Sequence, residues 1–250
     1  MSANVSASTA VVVGASSGLG RALATELAQR GHALLLVASD ARDLQAIAAD
    51  LELRFDARVA TLALDLAREA DPGARILAAL AKLPPLSALL LVAGVSYDDD
   101  DFSLSAARIG ELLSINLHAP HAIVHALLPK LRATRGTIVL CGSIAAARGR
   151  GRNVVYASAK RALESLHESL RQAHAPNELR AQLYRLGFLA TNLTYGIKLP
   201  MTAGDPDVVA RTIAARLGKG SFARYLPRRF ALVAAIARAL PWFAFRRMRG

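Results

Sequence analysis

A chain of 250 residues with 53% hydrophobic content can bury one substantial core, so residues 1–250 are read as a single domain of ordinary α/β size. Its one cysteine, Cys141, excludes an intrachain disulfide and points to a reducing compartment, most simply the cytoplasm. The net charge of +12 raises nucleic-acid binding, but residues 201–250 hold ten Lys/Arg against two acids while the rest is near balance, so no nucleic-acid partner is expected.

The chain starts without the basic and apolar segments of a signal peptide. Short apolar runs then alternate with amphipathic stretches, the pattern of βα units and a parallel sheet. Strands are expected at residues 10–13, 33–38, 58–64, 87–92, 137–142, 180–186 and 221–226. Helical periodicity fills the intervals near residues 19–30, 40–53, 72–82, 106–131, 154–173 and 206–217. Right-handed crossovers would wrap these helices over both faces of a Rossmann-type, doubly wound sheet of about seven strands.

The first strand runs into Gly14-Ala15-Ser16-Ser17-Gly18-Leu19-Gly20, and a helix follows at once. Glycines in that setting let the backbone approach a pyrophosphate, and the helix N-terminus offers it free N–H donors. Further on, Tyr156 and Lys160 stand four residues apart in a helical segment and so share one face. A free tyrosine titrates near pH ~10, so a fixed positive charge is what would let it exchange protons near neutrality, and Lys160 would supply that charge. Ser143 ends an apolar run thirteen residues upstream of Tyr156, and Asn116 lies in the helical stretch before it. Hydroxyl, phenol, ammonium and amide together suit proton transfer to and from a carbonyl or alcohol oxygen.

With the Gly-x3-Gly-x-Gly spacing, the ordered set Asp65-Leu66, Ala93-Gly94, Asn116, Ser143, Tyr156, Lys160 and Gly187 to Thr191 resembles the short-chain dehydrogenase/reductase family, in its compact single-domain branch. The resemblance spans residues 9–226 and leaves 227–250 as a basic, amphipathic helical extension. It implies hydride transfer on a nicotinamide dinucleotide, interconverting a ketone and a secondary alcohol. Tyr156 would be the general acid/base, Lys160 would lower the tyrosine pKa and bind ribose hydroxyls, Ser143 would hold the substrate oxygen, and Asn116 would hold a water that relays protons. Thr191 matches the position that binds the carboxamide. Where relatives have Thr-Gly, Asn-Ala-Gly and Pro-Gly, this chain has Val13-Gly14, Val92-Ala93-Gly94 and Leu186-Gly187, which spares the proton-transfer groups but removes hydrogen bonds among cofactor-side loops. Ala38 stands where NAD-specific relatives carry an acid, and Ser16, Ser39 and Arg42 would receive a 2′-phosphate, so NADP(H) is expected, with NAD(H) the alternative.

Several features fall outside this pattern. Arg148, Arg150 and Arg152 are read as a solvated loop at the substrate entrance, the alternative being that they steer an anionic carrier-bound acyl chain. Asp98 to Asp101 is read as an exposed loop. His118, His121 and His125 share a helical face that suits packing at a homodimer or homotetramer interface better than metal binding. In residues 227–250 arginines bracket an apolar, Trp- and Phe-bearing stretch too short to cross a bilayer. Two readings stand open there: a helix peripheral to an anionic membrane, or a tail packed over its own pocket or a partner subunit. The rival to an enzyme is a catalytically silent dinucleotide sensor or membrane scaffold of the same fold. The expected substrate is mainly apolar, a 3-oxoacyl or other lipid-like ketone.

Overall fold

The computed structural model describes residues 8–191, 194, 196 and 201–247, so the start of the chain before Ser8 and the last three residues of the tail lie outside the described residues. In chain order the strands are β1 (Thr9–Val13), β2 (Ala33–Ala38), β3 (Val59–Ala63), β4 (Leu86–Leu91), β5 (Thr137–Ser143), β6 (Arg180–Leu186) and β7 (Phe222–Leu226). The helices are α1 (Gly18–Gln29), α2 (Ala41–Phe55), α3 (Pro72–Ala79), α4 (Ala106–Leu113), α5 (Ala119–Ala133), α6 (Val154–Ala173), α7 (Pro206–Ala214), α8 (Phe230–Ala239) and α9 (Trp242–Phe245).

The strands form one parallel sheet in the order β3-β2-β1-β4-β5-β6-β7. Side chains alternate across it. Val12, Leu34, Leu36 and Leu90 meet α1, α2 and α7 on one face, while Val11, Leu35, Leu89 and Leu140 meet α3, α5 and α6 on the other. Both faces are therefore covered, and strand order reverses between β1 and β4. A crevice opens there at the carboxyl ends of the strands, where open α/β sheets bind ligands.

One long helix was expected over residues 106–131, and the structure breaks it in two. Between α4 and α5 the backbone widens into a π-helical turn, Ser114–His118, with Asn116 at its centre. Hydrophobic periodicity cannot register such a turn, because the apolar face resumes after it; π-bulges of this kind are frequent at functional sites. The extension also folds, with α8 and α9 packed against the body.

Candidate active site

A cleft of about 930 Å³ lies along the carboxyl ends of the strands and gathers nearly every residue expected at a site. Gly14, Ser16, Ser17, Gly18, Leu19, Gly20, Ser39, Asp65, Leu66, Ala93, Gly94, Ser143, Tyr156, Lys160, Gly187 and Thr191 all line it. Arg42 does not: it sits exposed in the first turn of α2 and outside the lining. Asn116 lies just behind the wall, fully buried.

The glycine turn is built by close approach. Gly14 has φ +94°, and a Cβ on it would lie 2.6 Å from the Ala93 nitrogen. A Cβ on Gly20 would overlap the Gly14 carbonyl oxygen. These contacts bring β1, α1 and the loop after β4 together below the cleft. Ser17, the N-cap of α1, makes no side-chain capping bond, and no acid occupies the first turn. The Gly20 N–H donates to the Ser17 carbonyl at 3.1 Å, which leaves the N–H groups of Gly18 and Leu19 open at the head of α1, where an anion would meet the positive end of the helix dipole.

Tyr156 and Lys160 are 8% and 4% exposed, on the first two turns of α6. Burial raises the Tyr156 phenol above its ordinary value, and a hydrogen bond with Ser143 pulls it partly back. Lys160 had been expected to lower the phenol. Its Nζ stands 5.8 Å from the Tyr156 ring centre, and burial pushes the ammonium itself down to about 8, so in the protein alone desolvation dominates both shifts. The Ser143 hydroxyl accepts from the Ala145 N–H at 3.1 Å and caps the short 3-10 turn after β5. Asn116 Nδ2 donates to the carbonyls of Val95 (2.8 Å) and Leu112 (3.0 Å), which leaves Oδ1 buried with no protein partner. A Cβ at Gly94 would lie 2.9 Å from that Oδ1 and 3.1 Å from Lys160 Nζ, so the orphaned acceptor and the ammonium converge on one small gap. A buried acceptor without a partner is costly unless something fills it, and a small polar guest between the two satisfies both.

Asp100 was missed by sequence reading. The run at 98–101 was expected to be exposed, yet Asp100 is 1% exposed. Its two carboxylate oxygens accept from the backbone N–H groups of Val155 and Tyr156, each at 2.9 Å, and its carbonyl accepts from Val154. The α6 N-cap, Asn153, is left-handed at φ 55° and supplies no side-chain bond, so the remote carboxylate closes the helix and is buried because it is fully used. One carboxylate in four equal neighbours carries no local signal of this. The sequence even places Asn153, a favoured cap type, directly before Val154, so nothing local pointed to a remote one.

The arginine loop is also corrected. Arg148 is neither solvated nor aimed at the cleft: its guanidinium donates to the carbonyls of Ala237 (2.8 Å) and Leu240 (2.5 Å) and stacks over Phe245 at 4.0 Å. Arg150 and Arg152 line the cleft. His121 and His125 each hold the carbonyl four residues back through Nδ1, and no group of three or more metal-ligating side chains occurs among the described residues.

The sequence profile described as short chain dehydrogenase matches residues 8–200. The chain belongs to the short chain dehydrogenase family. An uncharacterized oxidoreductase of Mycobacterium tuberculosis is 28% identical over 97% of both chains. The 3-oxoacyl-(acyl-carrier-protein) reductase of Escherichia coli is 27% identical over 86% of both. Among solved structures, a short-chain dehydrogenase from Sphingobium yanoikuyae in complex with NADPH superposes with a TM-score of 0.81 at 25% identity, covering 94% of this chain and 97% of that one. This short chain dehydrogenase carries its departures where it was expected to: Val13, Val92 and Leu186 all border the cleft, and backbone contacts such as Ala93 N–H to Val13 carbonyl at 2.9 Å tie the loops together. No described helix is long and apolar enough to cross a membrane.

Proposed function

We propose that this short chain dehydrogenase is an NADP(H)-preferring oxidoreductase that interconverts a ketone and a secondary alcohol on a mainly apolar substrate. The carrying observation is the convergence of Asn116 Oδ1 and Lys160 Nζ on Gly94, one helical turn from Tyr156, beside a glycine cradle that fits a pyrophosphate. A bound nicotinamide dinucleotide supplies the hydride for reduction or accepts it in oxidation. In reduction Tyr156 gives its proton to the carbonyl oxygen, and the raised phenol pKa keeps that proton in place until the oxygen becomes basic. Ser143 holds the same oxygen. Lys160, Asn116 and a water between them return a proton from solvent to Tyr156.

The open α1 N-terminus, Gly14, Ser16, Ser17, Gly18, Leu19 and Gly20 hold the phosphates, Asp65, Leu66, Ala93 and Gly94 flank the rings, and Gly187 and Thr191 face the nicotinamide end. NADP(H) preference is supported at the end of β2. Ala38 and Ser39 line the cleft while Asp40 and Asp43 do not, and one Asp40 carboxylate oxygen accepts from the N–H groups of Arg42 and Asp43. A 2′-phosphate beside Ala38 then meets no acid on β2, and its partners are Ser16 and Ser39, with Arg42 at the rim. Arg150 and Arg152 in the lining, and the likeness to a 3-oxoacyl reductase, support an acyl chain on an anionic carrier as the substrate class. The working unit is a cytoplasmic homodimer or homotetramer.

NADPH oxidation against a panel of ketones tests the reaction. Tyr156→Phe is expected to cost roughly 10²–10⁴-fold in turnover, the usual weight of a positioned acid, with dinucleotide affinity largely kept. Unchanged turnover would sink the assignment, and a faster rate with NADH would reverse the cofactor preference.

A further inference from the structure

The extension has two apolar faces and only one is covered. On the inner side of α8, Phe230 and Ala234 are each 1% exposed. Phe230 fills the space a side chain at Gly187 would need and stands edge-on to Phe188. Arg148 holds the carbonyl end of α8 and stacks on α9, while Arg238 Nε donates to the Ala147 carbonyl at 3.1 Å. The helices are therefore pinned to the two segments, 144–148 and 187–188, that continue directly from the cleft walls. On the outer side Leu232 (67%), Ile236 (53%), Trp242 (65%) and Phe243 (65%) face solvent, four of the seven large hydrophobic side chains exposed among the described residues. Leu232 and Ile236 are one turn apart, and Ala231, Ala235 and Ala239 fill the same exposed side.

Charge decides what covers this face. Arg228 and Arg229 precede α8, Arg246 and Arg247 follow α9, and all four are exposed. No Asp or Glu occurs after Asp207. A second copy seated on its own face would set arginine rows of one sign against each other, a repulsion that an isologous contact cannot avoid. An anionic lipid surface offers instead an apolar layer for the aliphatic and aromatic side chains and a sheet of negative charge for the arginines. We propose that the outer face of α8 and α9 is a docking surface for an anionic lipid bilayer, with Trp242 and Phe243 seated at the headgroup boundary. The contacts of Arg148 and Phe230 hold that face rigid relative to the cleft, so docking sets the substrate-side wall beside the membrane. The docking stands apart from the reaction and does not depend on it.

Trp242 is the sole tryptophan of the chain, so its emission reports on this face alone. The full-length protein is titrated with vesicles of phosphatidylglycerol and phosphatidylcholine in equal parts, and with vesicles of phosphatidylcholine alone. The expected result is a blue shift, protection from aqueous quencher and co-sedimentation with the mixed vesicles, all weakened by salt and absent with the neutral ones. Leu232→Asp with Ile236→Asp, both at exposed positions, lowers the vesicle-bound fraction by at least about tenfold while NADPH-dependent reduction of a water-soluble ketone is unchanged. Lack of vesicle binding by the catalytically active wild type overturns the proposal and leaves the reaction intact. So does a blue shift that appears without vesicles and follows protein concentration, which assigns the face to a second copy, or one produced equally by a soluble acidic protein.

Discussion

Two helices begin at the cleft, and they treat the unpaired N–H groups of their first turn in opposite ways. At α1 the cap residue Ser17 offers no side-chain bond and no acid follows it, although α2, α3 and α7 in the same chain are each capped by an aspartate, Asp40, Asp71 and Asp205. At α6 the cap residue is again idle, but Asp100 arrives from a loop more than fifty residues away and takes two of the orphan donors. In the proposed function the first helix end is open for a ligand anion to complete it, and the second is closed by the protein to hold Tyr156 still. A helix terminus is a binding site or a fixture according to whether the chain supplies its own carboxylate.

Opening the closed end should have the largest effect. Asp100→Ala strands the Val155 and Tyr156 N–H groups in a buried place, which costs about 1–3 kcal/mol of stability. It also frees the first turn of α6 to shift, and a misplacement of about 1 Å at a reacting group can cost on the order of 10²-fold in kcat. Thermal denaturation and steady-state kinetics measure the two, with dinucleotide affinity expected to stay close to wild type because α1 is untouched. Asp100→Asn keeps one acceptor and should recover part of kcat. If Asn rescues stability but not kcat, the charge rather than the hydrogen bond is what α6 needs.

Closing the open end is the converse and smaller change. Ser17→Asp gives α1 the cap its neighbours have and should add about 0.3–1 kcal/mol of stability. The same carboxylate stands where the pyrophosphate is proposed to sit, so NADPH affinity should fall on the order of tenfold, by repulsion at short range. A melting temperature and a binding isotherm on one variant thus move in opposite senses. If both rise, the phosphates do not lie at α1.

What the sequence disclosed follows from distance along the chain. The turn at 14–20 and the Tyr156/Lys160 pair are local patterns, readable because glycine and the helical period mean the same thing in most surroundings. A parallel sheet with both faces covered followed from the alternation of apolar and amphipathic runs, whereas the strand order comes from the structure. The π-turn at Asn116 stayed hidden because a one-residue widening leaves the apolar face in register on either side. Asp100 and Arg148 stayed hidden because their partners are 55 and 89 residues away or more, and nothing in a run of acids or arginines says which member is buried. Long-range caps of this kind carry the position of α6 and of the tail, so the candidate site residues were legible sooner than their support.

The finest test of the closed end is its effect on titration. Burial holds Lys160 near a pKa of about 8, and below that pH the ammonium is charged as its proposed role requires. The kcat/KM for ketone reduction, which reports groups of the free enzyme, should therefore fall as pH rises through about 8, while Tyr156, raised by its own burial, keeps its proton over that range. Stability should run the other way. The folded chain holds this proton less tightly than the unfolded chain, where lysine titrates at its ordinary 10.5, so between about 8 and 10.5 the unfolded state binds more protons and the cofactor-free fold gains stability with pH. A negative charge at the head of α6 would favour the charged ammonium and disfavour the phenolate, so its removal is expected to lower both values. Asp100→Asn should move the alkaline limb toward lower pH by a fraction of a unit, read from the two kcat/KM profiles at low ionic strength. A limb that stays in place means Asp100 fixes α6 by its two hydrogen bonds alone, and the difference between the helix ends is then one of geometry rather than of charge.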